Sequence, residues 1–148
     1  MEAQDDYAEA YESEALRQFV AGEEVDLGWF GEWLAMIRQA TAEGRRFTRV
    51  RVVSLPLTDY SQFGVFCSQY TNAAGEDIRY LIRDHAAGLP DYDYWLFDSC
   101  KLVRMHFGGD RAFLGGEVIT DPAVVVRHSY WRDAAWHRAV RRDDFAAK

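Results

Sequence analysis

The sequence predicts a single domain of the α/β class, with α+β as the alternative, in which helices flank a mixed sheet of five or more strands. Two short runs rich in Val, Ile and Tyr lie on either side of a helical pattern in the middle of the chain. Further along, two such runs are separated by only two residues, and an Asp-Pro pair then opens a last helix. The domain spans residues 1–148, as an acidic helical N-terminal extension over 1–44 and a mixed-sheet core over 45–148.

Two helices are predicted in the extension. The first runs from Glu9 to Ala21 and ends at Gly22, since glycine adopts the left-handed conformation common after helix C-termini. The second runs from Asp26, whose carboxylate can cap the first turn, to Gly44.

The second helix has a wider apolar surface than one packing contact needs. Beside its core-facing stripe, which includes Leu34 and Ile37, lie Trp29, Trp33 and Met36. Such widening is typical of a helix held between two packed elements. The alternative is a contact with a second copy of the chain, as a homodimer, or with another protein.

A strand, a helix and a second strand follow, over 47–54, 59–73 and 77–83. Pro56 cannot donate to a ladder hydrogen bond and ends the first strand, and Gly75 ends the helix. This order predicts a right-handed parallel crossover.

Antiparallel strands and a closing helix complete the predicted core. Strands are expected over 94–98 and 101–107, at the spacing of a tight hairpin, and over 112–119. Asp121, followed by proline at the first helical position, opens a helix that runs to about residue 142.

The acidic residues are concentrated at the N-terminus. Residues 1–26 contain nine carboxylates against Arg17 alone, a charge of −8, so the remaining chain carries +1 of the total of −7. Because an acidic segment repels phosphates, we expect no direct contact with nucleic acid. The segment is interpreted either as a solvated, partly frayed helix or as a docking surface for a basic partner.

Membrane, metal and cofactor sites are not predicted. No apolar run approaches the roughly 20 residues that a membrane span needs, and the acidic N-terminus differs from the basic start of a signal peptide. We therefore expect a cytoplasmic protein without a membrane partner. Cys67 and Cys100 are isolated, so no zinc spacing is present.

Several motifs occur in an order that resembles a family of actinobacterial proteins of unknown function. They are RVRVVSLPLTDY, NAAGEDIRYL, a Gly-Leu-Pro loop, DYWLFD, MHF and DPAVV. Members of that family are often encoded beside helix-turn-helix transcriptional regulators, so the resemblance implies such a regulator as a partner.

A more distant resemblance is to the phospholipase-D-like domain, particularly the catalytically empty versions attached to regulators. The matching positions are Leu89, Pro90, Leu96, Phe97, Asp98 and Trp136 to Ala139. The family's mechanism needs H-x-K-x4-D, because a phosphoryl group is attacked by imidazole while a cation holds its charge. His106 is followed by Phe107 and Gly108, so no catalytic residue is assigned.

Arginines on the predicted strands are the first candidates for a ligand site. Arg49 and Arg51 share a face of one strand, and Arg79 and Arg83 share a face of the next. Further along, Arg104 and His106 share a face of the hairpin, near Asp98. These side chains predict either structural ion pairs with nearby carboxylates or a pocket for an anion such as a phosphate or carboxylate.

Aromatic side chains are the second candidates. Tyr60 lies on the predicted middle helix, and Tyr92, Tyr94 and Trp95 lie where a loop enters a strand. Loops at the carboxyl ends of parallel strands commonly line ligand crevices.

From these features we expect a non-enzymatic regulatory or binding module that acts with a helix-turn-helix regulator or a small ligand. The alternative is an enzyme of unrecognised chemistry that uses the Arg-lined face with His106 and Asp98.

Overall fold

The computed structural model describes residues 1–147 and contains two three-stranded sheets. The helices are α1 (Ser13–Ala21), α2 (Gly31–Ala42), α3 (Asp59–Ala74), α4 (Pro122–Arg138) and α5 (Arg142–Ala146). The strands are β1 (Phe47–Val53), β2 (Glu76–Ile82), β3 (Tyr94–Phe97), β4 (Lys101–Phe107), β5 (Phe113–Ile119) and β6 (Val140–Arg141). The first sheet has the order β1-β2-β6 and the second β3-β4-β5.

The prediction of one mixed sheet with five or more strands is therefore wrong. The two sheets do not pair with each other, because the first residues of the chain lie between them. Glu2 hydrogen-bonds along the outer edge of β1, donating to Val50 O (3.0 Å) and accepting from Val52 N (2.9 Å). On its other side, Met1 O accepts from Tyr94 N of β3 at 3.1 Å. A two-residue bridge is too short to leave a strand pattern in the sequence.

The predicted parallel crossover is confirmed, since β1 and β2 pair in parallel and α3 connects them. The Thr58 hydroxyl caps α3 by accepting from Ser61 N at 3.1 Å. Gly75 ends the helix with φ of +112°. Thus the local signals that set these boundaries in the sequence also set them in the fold.

The hairpin of β3 and β4 and the antiparallel β5 are also confirmed. The last helix, however, ends four residues earlier than expected. After Arg138 the chain becomes extended and forms β6, which pairs antiparallel to β2. The short α5 then places Phe145 over Tyr80, with ring centroids 4.8 Å apart. This last stacking contact covers the middle of β2.

Each face of the first sheet packs against a different helix. Val53, Ile78 and Tyr80 lie on the side of α3 and α5, whereas Val52 and Leu81 lie on the side of α4. Because the parallel register places Arg49 beside Ile78 and Arg79 beside Val50, the arginines alternate between these two environments. This alternation decides which of them can share a site.

The acidic N-terminal segment, residues 1–9, contains no helix and is neither a free arm nor a frayed end. Asp5 accepts hydrogen bonds from Ser54 N (2.7 Å), Ser54 Oγ (2.8 Å) and Arg83 Nη2 (3.1 Å). Asp6 pairs with Arg111. Residues 1–9 are therefore not a solvated, frayed helix, because Glu2, Asp5 and Asp6 bind arginines of the folded core. Docking of a basic partner on the acidic segment stays a prediction.

Replacing Glu2 with glutamine tests how much this segment stabilises the fold. Glu2 Oε1 lies 2.8 Å from Arg49 Nη1 and Oε2 lies 3.0 Å from Arg51 Nε, and its side chain is 17% exposed. Removing one member of a buried pair costs roughly 3–5 kcal/mol, and we expect the lower end because Glu2 is partly accessible. Thermal unfolding should shift down by about 6–12 °C.

The stabilisation that Glu2 provides should depend on pH. Burial opposes ionisation of Glu2, but attraction to Arg49 and Arg51 outweighs it, so the pKa of the carboxyl lies below its ordinary value. The stabilisation is therefore complete above the unfolded pKa of about 4.3 and is lost as the pH falls through the lower folded pKa. Glu14→Gln, at an exposed pair with Arg17, is the control and should leave the melting temperature unchanged. An equal shift in both variants would contradict the prediction.

Candidate ligand-binding cavity

A cavity of about 910 Å³ lies where the two sheets, α2, α3 and the N-terminal segment meet. Its lining is more apolar than polar, and most of its large side chains are aromatic. Among known binding sites, volumes of roughly 300–1,000 Å³ are typical for small molecules. The dimensions therefore fit a ligand rather than a structural water.

Arg49 and Arg51 project into this cavity from β1 and are held by two carboxylates. Glu2 contacts both arginines, and Arg49 Nε also donates to Glu76 Oε1 at 2.8 Å. Burial raises the pKa of Glu76 despite this pairing, whereas that of Glu2 is lowered by its two partners. Arg49 and Arg51 are thus balanced by Glu2 in the cavity floor and by Glu76, which lies outside the lining.

Arg51 is the more enclosed of the two arginines, with 7% of its surface exposed. Its Nε is close to Glu2 Oε2 but is not directed at it as a hydrogen bond, and no other described residue accepts from Nε. The guanidinium lies against α3 at Gly64, where an added Cβ would approach Arg51 Nη1 to 2.0 Å. Only glycine at this position leaves room for the arginine.

Two tyrosines flank the Arg51 guanidinium and donate to buried carboxylates. The guanidinium carbon lies 5.6 Å from the Tyr60 ring centroid and 5.9 Å from that of Tyr7. Tyr60 Oη donates to Glu12 Oε1, and Tyr7 Oη donates to Asp93 Oδ2 at 2.5 Å. Burial is the main cause that raises the pKa of all four of these groups.

Aromatic rings form the remaining walls. Trp29 stacks on Phe30 with centroids 4.7 Å apart. On the opposite side, Phe107 lies edge-on to Phe113 at 5.7 Å. The indole Nε1 of Trp29 is buried without a partner among residues 1–147. Flat aromatic walls of this kind favour a planar ligand, which can stack on them.

Seven of the candidate residues predicted from the sequence line the cavity. They are Arg49, Arg51, Tyr60 and Trp95 from the ligand candidates, and Trp29, Trp33 and Met36 from the partner-surface candidates. The predicted apolar stripe therefore lies at the cavity: Trp29, in the turn before α2, and Trp33 of α2 are half-buried in its wall, and Met36 is partly exposed beside them.

The other nominated arginines lie outside the cavity. Arg79 packs over Trp136 of α4 at 3.8 Å, on the opposite face of the first sheet from Arg49 and Arg51. Arg83 binds Asp5. Arg104 lies over the ring of Tyr92 at 4.0 Å.

The remaining candidate residues also lie outside the cavity lining. His106 of β4 faces Glu117 of β5, with 3.3 Å between Nε2 and Oε2. Asp98 occupies the β3–β4 turn with φ of +48°. Tyr94 is buried and donates to His128 O at 3.3 Å, while Tyr92 Oη lies 3.0 Å from His128 Nε2. Because His128 Nδ1 lies 2.8 Å from the Val124 carbonyl, this histidine fastens α4 to the second sheet.

Sequence reasoning missed the residues that complete the polar floor, namely Glu2, Tyr7, Glu12, Gly64 and Asp93. Four of them have no local signal, since their partners lie far along the chain. Gly64 did have one, because an isolated glycine inside a helical pattern marks a close approach by another group.

Two negative findings apply to residues 1–147. No group of three or more His, Cys, Asp or Glu side chains is arranged to hold a metal ion. In the same part of the chain, no helix has the length and apolar character to cross a membrane.

Comparison with known proteins identifies a family. A family model described as a domain of unknown function, DUF6879, matches residues 1–147. The chain belongs to this family. Neither the curated proteins nor the solved structures contain a match. The cavity of this DUF6879 domain is therefore the principal guide to its role.

Gly64→Ala tests the close approach of Arg51. Because Glu2 restrains the guanidinium, the new methyl group must displace it, and overpacking of this kind costs roughly 1–3 kcal/mol. Gly31→Ala, in the first turn of α2 with φ of −59° and open space around it, is the matched control. It should be neutral or stabilise by up to about 1 kcal/mol. Urea unfolding measures both, and equal stability of the two variants would contradict the assignment.

Glu12→Gln tests the ionisation of the buried carboxyl. Since burial raises the pKa of Glu12, the ionised form destabilises the folded state at neutral pH. Glutamine resembles the protonated acid, so the variant should melt higher than the original protein at pH 8. The difference should vanish below the unfolded pKa of about 4.3. Glu32→Gln, at an exposed lining position, should show no such trend. A lower melting temperature at every pH would mean that the charged form stabilises the fold.

Proposed function

We propose that this domain is a binding module for a small planar molecule, which occupies the cavity between the two sheets. The observation that carries the proposal is a cavity of about 910 Å³ with aromatic walls and a polar floor. Aromatic walls supply stacking surface, and a few fixed polar groups orient a ligand. The stripe of Trp29, Trp33 and Met36 then contributes binding area within the chain itself.

The arrangement of the cavity favours binding over catalysis. Cys67 lines it, but burial raises the pKa of its thiol to about 12, so it is not a nucleophilic thiolate at neutral pH. The carboxylates of Glu12 and Asp93 accept hydrogen bonds from tyrosines rather than facing a nucleophile. None of the four histidines is among the described lining residues. The alternative enzyme, built on His106 and Asp98, has less support because both lie outside the cavity.

A regulatory role extends this proposal through the resemblance described above. A helix-turn-helix regulator as partner, an actinobacterial source and a cytoplasmic location rest on that resemblance and on composition. The same applies to the catalytically empty phospholipase-D-like relationship. In such an arrangement, ligand binding to this domain would control the activity of the regulator.

Titration with N-phenyl-1-naphthylamine, a neutral aromatic dye whose fluorescence rises in apolar sites, tests the proposed cavity. We expect saturable binding with one dye per chain. Trp33→Ala removes part of the wall, and the lost stacking should weaken binding by roughly 2–10-fold. Tyr130→Ala, an exposed aromatic residue of α4 outside the cavity, should bind the dye normally.

Light scattering on the same two variants separates the two roles assigned to Trp33. A reduced mass in Trp33→Ala with unchanged dye affinity would place the residue at a homodimer contact and contradict its role in ligand binding. No saturable binding to the original protein would contradict the proposed function.

A further inference from the structure

We infer that the ligand is a neutral planar lactam, a ring that carries an amide N–H donor beside a carbonyl acceptor. This inference rests on the proposed function and specifies its chemistry. Flat nitrogen heterocycles with such an edge are the class that the cavity recognises. The groups that recognise such an edge are one donor, one acceptor and the aromatic ring beside both.

Arg51 supplies the donor. The side chain is 8% exposed and lines the cavity, and its one ion pair within residues 1–147 is made through Nε, which leaves the terminal nitrogens without a protein acceptor. The charge of Glu2, 3.0 Å from Nε, holds the guanidinium at this position, and Gly64 leaves room for its terminal end. A donor that lines a cavity and is held in place without a protein acceptor favours a ligand that brings one. A carbonyl oxygen meets this requirement without adding charge.

Glu12 supplies the acceptor. It is 8% exposed, and Tyr60 is the only described residue that hydrogen-bonds to its side chain, through Oε1. Oε2 therefore has capacity to accept from a ligand. The Tyr60 ring joins the two sites, since its hydroxyl binds Glu12 and its face lies 5.6 Å from the Arg51 guanidinium carbon. Because both groups adjoin Tyr60, a donor and an acceptor are available to the adjacent carbonyl and N–H of a lactam.

The charges of the cavity favour a neutral ligand. Arg49 and Arg51 are already balanced by Glu2 and Glu76, so an anion finds no unpaired positive charge and meets Glu12. The carboxylates of Glu12 and Glu32 would attract a cation, but a cation without an acceptor atom leaves the Arg51 terminal nitrogens unpaired, since they are all donors. Uncharged donors and acceptors avoid both conflicts, and the aromatic walls hold the ring.

Four probes of one ring size test this inference on the original protein by isothermal titration calorimetry. They are 2-quinolinone, which is a neutral lactam; 1-methyl-2-quinolinone, which lacks the N–H; 2-naphthoate, which is an anion; and 1-methylquinolinium, which is a cation. We expect 2-quinolinone to bind at least tenfold more tightly than each of the others, because only it completes both hydrogen bonds.

Variants then locate the acceptor. Glu12→Gln replaces a charged acceptor with a neutral one, so the affinity ratio of 2-quinolinone to its N-methyl form should fall several-fold. Glu32→Gln changes another lining carboxylate and should preserve the ratio. The ratio is measured between two ligands on one protein, so it remains interpretable if a variant is less stable.

The outcomes are distinguishable. Equal affinities for all four probes, or tightest binding of the anion or the cation, would overturn the lactam inference while leaving a binding cavity. An unchanged ratio in Glu12→Gln would overturn the role of Glu12. If no probe binds and the neutral dye also fails, the proposed function itself is overturned.

Discussion

The Glu2 carboxylate, shared between Arg49 and Arg51, is the interaction on which the rest of the structure depends. Its side chain neutralises two arginines that a sheet surface could not otherwise bury, and its backbone completes the outer edge of β1. Met1 continues the same segment to β3. The segment therefore holds the two sheets at a fixed separation, and the cavity is the space that this separation leaves between them.

The polar floor is built from groups that are costly to bury. Arginines, carboxylates and tyrosines each lose hydration there, and only mutual pairing offsets the loss. For Glu12 and Asp93 the pairing offsets only part of the lost hydration, because burial raises the pKa of both carboxyls despite their tyrosine donors. A fold selected for stability alone would place apolar side chains at these positions. Their retention is consistent with a site that recognises polar atoms.

Local signals in the sequence were sufficient for much of the architecture. Thr58 and Gly75 mark the ends of α3, and Asp121 marks the start of α4, because each acts on backbone groups within a few residues. The sheet count failed for the opposite reason. Glu2 and Arg49 are 47 positions apart, and nothing in either neighbourhood indicates that they meet.

The same distinction between local and long-range signals applies to the residues of the candidate site. Arg49, Arg51 and the aromatic stripe of α2 were recognisable because strand and helix periodicity places them on particular faces. Strand periodicity alone does not show that Arg79 lies on the opposite face of the sheet from Arg49 and Arg51, since this depends on the register between β1 and β2. Tyr7 and Glu12 were interpreted as parts of an acidic arm, because their partners become visible only in three dimensions.

The bridge between the sheets also sets the order in which the chain can assemble during synthesis. Ala3 N donates to Asp93 Oδ1 across 90 positions, and the Met1 amino group donates to Tyr94 O across 93. Residues 1–3 must therefore wait for partners that are synthesised about 90 positions later. Contacts of such high sequence separation slow folding, because a long loop closes before they form. The cavity is thus a late product of the folding chain, and its polar floor is assembled when the two ends of that loop meet.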